Sequence, residues 1–378
     1  MEDRIYDYWV ATLQDGYLGK LTELVEKAGG ARAFYELTGT DMTERLGISK
    51  RLSDYFSSKK RDTGLIEKEY ELLEKREISY VNHTDHDFPL RLRDIPTPPY
   101  GLFVRGRLPD ENTPSVAVIG SRECSEYGRI MAEYFGSKLA KEGVAIISGM
   151  AWGIDGIAQA AALAAGGNSY AIMGCGVDIT YPAKNMVLYR KLCKNGNGVI
   201  SEYAPGTAAE PRRFPPRNRI ISGLCDVLIV VEARAKSGTL ITVDMAIDQG
   251  RTVMVVPGRL TDNLSAGCIN LLYQGAFPAT SVESVLEQLG MGKVSKQSKR
   301  TKRSKKDEAV VMTKENKGLP EEMQKVASQL TLDPRNIDEI ASLAGMAVSD
   351  AMIILSKLEM EGIAREIWPG SFVRGDIG

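Results

Sequence analysis

Four glycine-rich turns carry the residue types that could hold phosphate: Gly120-Ser121-Arg122, Gly149-Met150-Ala151 ahead of Asp155, Gly174 to Asp178 followed by Lys184-Asn185, and Ser237-Gly238-Thr239. Glycine lets an anion come close to the backbone. A helix that starts at such a turn aims its free N–H groups and its dipole at negative charge. Arg122 and Lys184 add full positive charges. A fifth segment runs Glu210-Pro211-Arg212-Arg213-Phe214-Pro215-Pro216-Arg217-Asn218-Arg219-Ile220. Arginine pairs with phosphate through a planar fork, and proline fixes φ, so the spacing predicts arginines presented on a stiff segment. Phe214 would offer a flat face to an unpaired base, a contact worth about 1–3 kcal/mol per base. Together these residues predict a grip on the backbone of a single-stranded nucleic acid.

Catalytic groups are not evident. His83 and His86 lie in a connector, Asn82-His-Thr-Asp-His-Asp-Phe-Pro89, and read as loop hydrogen-bonders. Ser121, Ser148 and Ser237 have no base nearby in sequence. Asp155, Asp178 and Glu232 read as acids that orient loops or arginines. No G-x-x-x-x-G-K-[ST] is present, and Gly149, Gly153 and Gly156 do not fit G-x-G-x-x-G, so neither a P-loop nor a dinucleotide cofactor is expected. With two histidines and five cysteines lacking any C-x-x-C pair, no metal is expected either.

The turns need a scaffold. Short apolar runs at Val116, Val144, Ser169, Gly198, Val227 and Val253 suit strands buried on both faces. Amphipathic stretches such as Gly128 to Lys141 and Thr239 to Gln249 lie between most of them. That alternation predicts an α/β domain over 76–290: a Rossmann-like, doubly wound, mostly parallel sheet whose phosphate-type turns sit at the carboxyl ends of its strands.

Flanking this domain, 1–75 reads as an all-α module. One helix is expected from Tyr8 to Ala28, with shorter ones over Ala31 to Leu37 and Asp41 to Phe56. Residues 291–318 form a basic linker expected to be disordered, with eight basic residues in the fourteen from Lys293 to Lys306. Residues 319–378 read as helix, helix-turn-helix and hairpin, the order of a winged helix. Its second helix of the pair, Val348 to Glu361, is apolar and acidic. It fits protein contact or a structural role better than reading DNA.

The chain has 378 residues, net charge −1, 43% hydrophobic and 26% charged residues, so any nucleic-acid preference must come from charge placement rather than from the total. No run suits a membrane span, no leader is evident, and scattered cysteines fit reduced thiols, so a cytoplasmic protein is expected.

The motifs Val118-Ile-Gly-Ser-Arg122, Ser148-Gly-Met-Ala-Trp-Gly-Ile-Asp155, Gly174-Cys-Gly-Val-Asp-Ile-Thr-Tyr-Pro-Ala-Lys-Asn185, Phe214-Pro-Pro-Arg-Asn-Arg-Ile-Ile-Ser-Gly223, Ser237-Gly-Thr-Leu-Ile-Thr242 and Val256-Pro-Gly258 stand in one order over about 80–285. In that order the chain resembles the DNA processing protein A (DprA, or Smf) family. The flanking pieces resemble that family's sterile-alpha-motif-like (SAM-like) and winged-helix modules. The resemblance implies single-stranded DNA binding, delivery of RecA recombinase onto that DNA in natural transformation, a homodimer, and no catalysis or cofactor. Carried over by position, the expected DNA-binding set is Gly120, Ser121, Arg122, Gly149, Met150, Ala151, Lys184, Asn185, Phe214, Arg217, Asn218, Arg219, Ser237, Gly238 and Thr239. Ile269, Asn270 and Leu271 fall where the family's dimer edge lies. Two other readings remain. One is a nucleotide-phosphate hydrolase resembling the lysine-decarboxylase-like enzymes, although Thr242 stands where their acid would be. The other is a transcription regulator led by the winged helix.

Overall fold

A computed structural model describes residues 2–14, 21–292, 319–331 and 334–375. It divides into two units, 1–292 and 293–378.

The first unit opens with six helices: α1 (Glu2–Thr12), α2 (Leu21–Ala28), α3 (Ala31–Glu36), α4 (Gly39–Leu46), α5 (Lys50–Ser58) and α6 (Thr63–Lys75). The single helix expected from Tyr8 to Ala28 is not one element. The Leu13 amide bonds back only three residues, to Val10 O, and this tighter turn closes α1. Trp9 is fully buried and donates from Nε1 to Lys59 O at 2.9 Å, tying α1 to the end of α5. The cluster around Tyr8, Trp9, Phe34 and Phe56 runs on into Phe103, Met173 and Val199 of the sheet. The expected boundary near residue 75 is therefore no break in packing: helices and sheet share one core.

The sheet has nine strands: β1 (Ser79–Asn82), β2 (Gly101–Gly106), β3 (Ser115–Ile119), β4 (Ala145–Ser148), β5 (Ser169–Met173), β6 (Gly198–Ser201), β7 (Val227–Val230), β8 (Thr252–Val255) and β9 (Phe277–Pro278). Their order is β1-β2-β6-β5-β4-β3-β7-β8-β9. From β6 to β9 every neighbouring pair is parallel, while β2 pairs antiparallel with both β6 and β1. Every residue of β3 to β7 is buried, the reason these runs are uniformly apolar rather than alternating.

The helices of this domain are α7 (Leu90–Arg93), α8 (Glu126–Lys141), α9 (Ile154–Ala164), α10 (Met186–Leu192), α11 (Phe214–Leu224), α12 (Gly238–Asp248), α13 (Ala266–Tyr273) and α14 (Val282–Gln288). Helices α8 and α9 press together at Gly136, where a side-chain carbon would overlap the backbone of Ala158. That contact fixes the spacing of the loops that precede both helices.

The second unit holds α15 (Glu321–Ala327), β10 (Arg335–Asn336), α16 (Ile337–Ala344), α17 (Val348–Met360), β11 (Ala364–Trp368) and β12 (Ser371–Arg374), with strand order β10-β12-β11. Ile337, Ile340, Leu355, Leu358 and Phe372 form its core. Helix, helix pair and hairpin follow the winged-helix order. The basic linker stretch 293–306 lies outside the described residues. Among those described, no single helix is long and apolar enough to cross a membrane.

Candidate nucleic-acid interface

The chain leaves β3 toward β4 and leaves β7 toward β8, so strand order reverses between the loops after β3 and β7. Open α/β sheets bind ligands at such a crevice, outside the carboxyl ends of the strands. Arg122 is exposed on the loop after β3, and Arg234, Lys236 and Gly238 are exposed on the loop after β7. Arg234 meets Glu123 only loosely, at 3.7 Å with both side chains largely in solvent, so the pair contributes little.

Two of the expected amide turns are occupied from within. Glu232, 3% exposed, reaches from the end of β7 to the start of α8. Its carboxylate accepts the Ser125 amide at 2.9 Å and the Ser125 hydroxyl. A side-chain carbon on Gly128 would overlap it. The positive end of α8 thus already faces an internal anion. At the start of α9, Asp155 accepts the Gly149 amide at 3.1 Å. Asp178 accepts the Gly206 amide at 2.8 Å. The expectation that these three acids orient loops matches their hydrogen bonds. The expectation of a free amide cradle at every turn does not. Among these turns, the start of α12 is the open one: Ser237 caps the Thr239 amide at 3.2 Å, and nothing lies within 4 Å of where a side chain on Gly238 would point.

The arginine-rich segment also differs from its expectation as a presenting loop. After a single 3-10 turn at Pro211–Arg213, it forms the first turns of α11, with proline at the helix start where a missing N–H is tolerated. Arg217 and Arg219 point inward. Arg217 donates from Nη1 to Gly149 O at 3.1 Å and to Ile172 O. Its guanidinium and the Asp155 carboxylate crowd Gly149, where a side-chain carbon would come within 2.7 Å of the first and 2.9 Å of the second. Burial pushes the Asp155 carboxyl up, opposed by the charge of Arg217. Burial also pulls Arg217 down to about 10, opposed by Asp155. Arg219 donates to Glu202 Oε1 at 2.6 Å and to Thr97 O at 2.8 Å, with the ion pair nearly sealed from water. Gln14 of the helical region donates to the same Glu202 oxygen at 3.0 Å. Asn218, between the two arginines, accepts from Arg217 Nε at 3.3 Å. These two arginines organise the floor of the rim instead of its surface.

Phe214 is half-buried. It sits over Gly174, where a side-chain carbon would approach its ring to 2.7 Å, and packs on Tyr181 with centroids 5.3 Å apart. The exposed aromatic surface belongs to Tyr181, 44% exposed, and to Trp152, 53% exposed. Neither stood in the expected set. An aromatic residue two places before a helix start, inside a glycine-rich turn, was the available signal for Trp152.

Lys184 is exposed and its ammonium lies 5.3 Å from the centre of the Trp152 ring. Asn185 works underneath, donating to Met150 O at 3.0 Å and Ala151 O at 3.3 Å. Met150 itself is fully buried with φ of 52°, and its amide donates to Gln159 at 3.1 Å. Gly120 and Ser121 are half-buried beside Ile154, whose amide bonds Ser121 O at 3.2 Å. The structure therefore gathers Arg122, Lys184 and the Ser237-Gly238-Thr239 turn on one rim, with Met150, Asn185 and Arg217 beneath it.

At the other sheet edge, Leu271 is 7% exposed and belongs to the core, so it does not face outward as a dimer residue. Ile269 is half-buried and Asn270 exposed. Tyr273 (94%) and, on the short edge strand β9 itself, Phe277 (51%) supply apolar surface there.

The DNA recombination-mediator protein A family matches over 79–290, and the DprA winged helix domain matches over 312–366. Protein Smf of Escherichia coli is 33% identical over 335 residues, covering 88% of this chain and 86% of that one. DNA processing protein DprA of Streptococcus pneumoniae is 43% identical over 204 residues, 54% of this chain and 72% of the relative. The X-ray structure of the S. pneumoniae protein superposes with a TM-score of 0.64 at 35% identity, covering 74% of this chain and 97% of that one. DNA processing protein A of Helicobacter pylori, whose structure was solved for its single-stranded DNA binding mode, matches with a TM-score of 0.50 at 29% identity over 56% of this chain and 95% of that one. With its core domain matched throughout and relatives aligned over most of their length, the chain belongs to the DNA recombination-mediator protein A family.

Proposed function

We propose that this protein binds single-stranded DNA along the carboxyl rim of its sheet and delivers that strand to RecA recombinase in transformation and recombination. The observation that carries the binding reading is the set of exposed cations on the carboxyl-end loops: Arg122, Arg234 and Lys236 beside the crevice where strand order reverses, and Lys184 on the loop after β5. Membership of the DprA family supports the hand-over to RecA and a cytoplasmic homodimer. The exposed Tyr273 and the exposed Phe277 of edge strand β9 are the surface we assign to that dimer. The expected contacts are phosphate oxygens meeting Arg122, Lys184 and the open start of α12, in a mode with little sequence preference.

No catalytic role is proposed. Hydrolysis of nucleoside phosphates, the alternative reading, would use a carboxylate near Thr242. That residue is buried, and Asp155 and Glu232 are engaged inside the fold.

An electrophoretic shift series with single- and double-stranded oligonucleotides across a range of salt tests the reading. Single strands should be preferred, with affinity falling as salt rises. Arg122→Ala and Lys184→Ala should each weaken binding to all sequences alike. Unchanged affinity in both variants would overturn the assignment.

A further inference from the structure

We propose that Trp152 forms a base-stacking subsite for an unpaired nucleobase, with Lys184 beside its ring to take the adjoining phosphate. The inference rests on the single-stranded DNA reading above and assigns it a residue that phosphate chemistry alone would not select.

Trp152 sits on the turn between β4 and α9 and is 53% exposed. A large apolar ring left in water on an otherwise cationic rim asks for an occupant, and an unpaired base is the flat, π-faced partner that the proposed ligand supplies. Among the described residues no other aromatic ring packs on it. What lies over it is the Lys184 ammonium, 5.3 Å from the ring centre. At an exposed site that attraction is weak, and a phosphate oxygen is the stronger partner for lysine.

The backbone beneath the ring is fixed on three sides. Gln159 accepts the Met150 amide at 3.1 Å, and Asn185 donates to Met150 O and Ala151 O. Gly153, at φ 83°, lies so close to the backbone oxygens of Ser121 and Arg122 that a side chain there would overlap them. Trp152 is thereby locked to the turns that carry Arg122 and Lys184. A strand whose phosphates reach those two cations passes a ring already in position, so stacking needs little further ordering of the protein.

The test uses the full chain carrying Trp368→Phe. Trp9, buried and hydrogen-bonded to Lys59 O, and Trp152 are then its tryptophans. Oligothymidine and an abasic oligomer of equal length are compared by anisotropy and by tryptophan emission. Both should bind with similar salt dependence, but only oligothymidine should quench. Trp152→Ala should lose about fivefold or more in affinity for oligothymidine and little for the abasic strand. Trp152→Phe should recover most of that loss. Lys184→Ala should lower affinity for both strands and keep the preference for bases. Equal quenching by the two strands, or an equal loss on both in Trp152→Ala, overturns the subsite while leaving backbone binding intact. Failure of the parent chain to bind either strand overturns the reading beneath it, and the subsite with it.

Discussion

The arginines of α11 and the cations of the rim have the same chemistry and opposite fates. Arg217 and Arg219 are each about 5% exposed and spend their donors on Gly149 O, Ile172 O, Thr97 O and Glu202. Arg122 and Lys184 stand in water a short distance away. Residue type says what a group can bind. The direction of the helix that carries it decides whether it binds a ligand or the protein's own backbone. In this domain the buried cations hold the loop floor, and the exposed ones stay in solvent on the rim.

The sharpest way to break the contrast is to remove Arg219. Glu202 would be left as a buried carboxylate without its cation, and unfolding free energy in a denaturant titration should fall by about 3–5 kcal/mol. A loss below about 1 kcal/mol would mean the pair is not sealed in solution.

Arg217→Met probes the same floor through pH. Burial already holds the Asp155 carboxyl above its usual range, and removing the opposing guanidinium raises it further. A carboxyl raised in the folded state keeps its proton there. Its stabilising effect is complete below the unfolded value of about 4 and is lost as pH rises through the folded value. The stability gap between parent and variant should therefore widen as pH rises above the unfolded value of about 4, measured by denaturant midpoints. A gap that narrows would refute the assignment.

Glu232→Gln should cost about 1 kcal/mol by weakening the anion at the start of α8, read as a lowered melting temperature. On the rim the effect on stability should be smallest. Arg122→Ala and Lys184→Ala should leave melting nearly unchanged. Each should reduce the slope of log affinity against log salt for single strands by about 0.7. A melting loss comparable to that of Arg219→Ala would erase the distinction between floor and rim.

Much of the fold was legible in the sequence because β3 to β7 are buried on both faces and so read as unbroken apolar runs. Strands β1, β2 and β9 were not anticipated. The first two sit among the turn residues around Asp87-Phe-Pro and Pro96-Thr-Pro-Pro, and β9 is a two-residue edge strand containing Pro278. At the site, Arg122 and Lys184 were legible as cations on glycine turns. The burial of Arg217 and Arg219 was not, because charge in a proline-flanked segment carries no sign of which side faces Glu202 and Gly149. Trp152 was passed over although its place, two residues before the start of α9 in a glycine-rich turn, was a signal: phosphate chemistry selects cations and amides, not an indole ring. Leu271 shows the same gap at the far edge. A leucine on a short helix gives no hint whether it fills the core, as it does, or a partner's surface.

The internal carboxylate at the head of α8 has one more consequence. A free nucleotide arriving with a single phosphate group would find that helix end taken by Glu232 and the head of α9 engaged with Asp155. What remains are separate, individually weak anchors that only a polymer can engage at the same moment. If the rim holds single-stranded DNA as proposed, it would be tuned to chain length: multivalency, more than any one contact, would separate a DNA strand from the far more abundant mononucleotides of a cell.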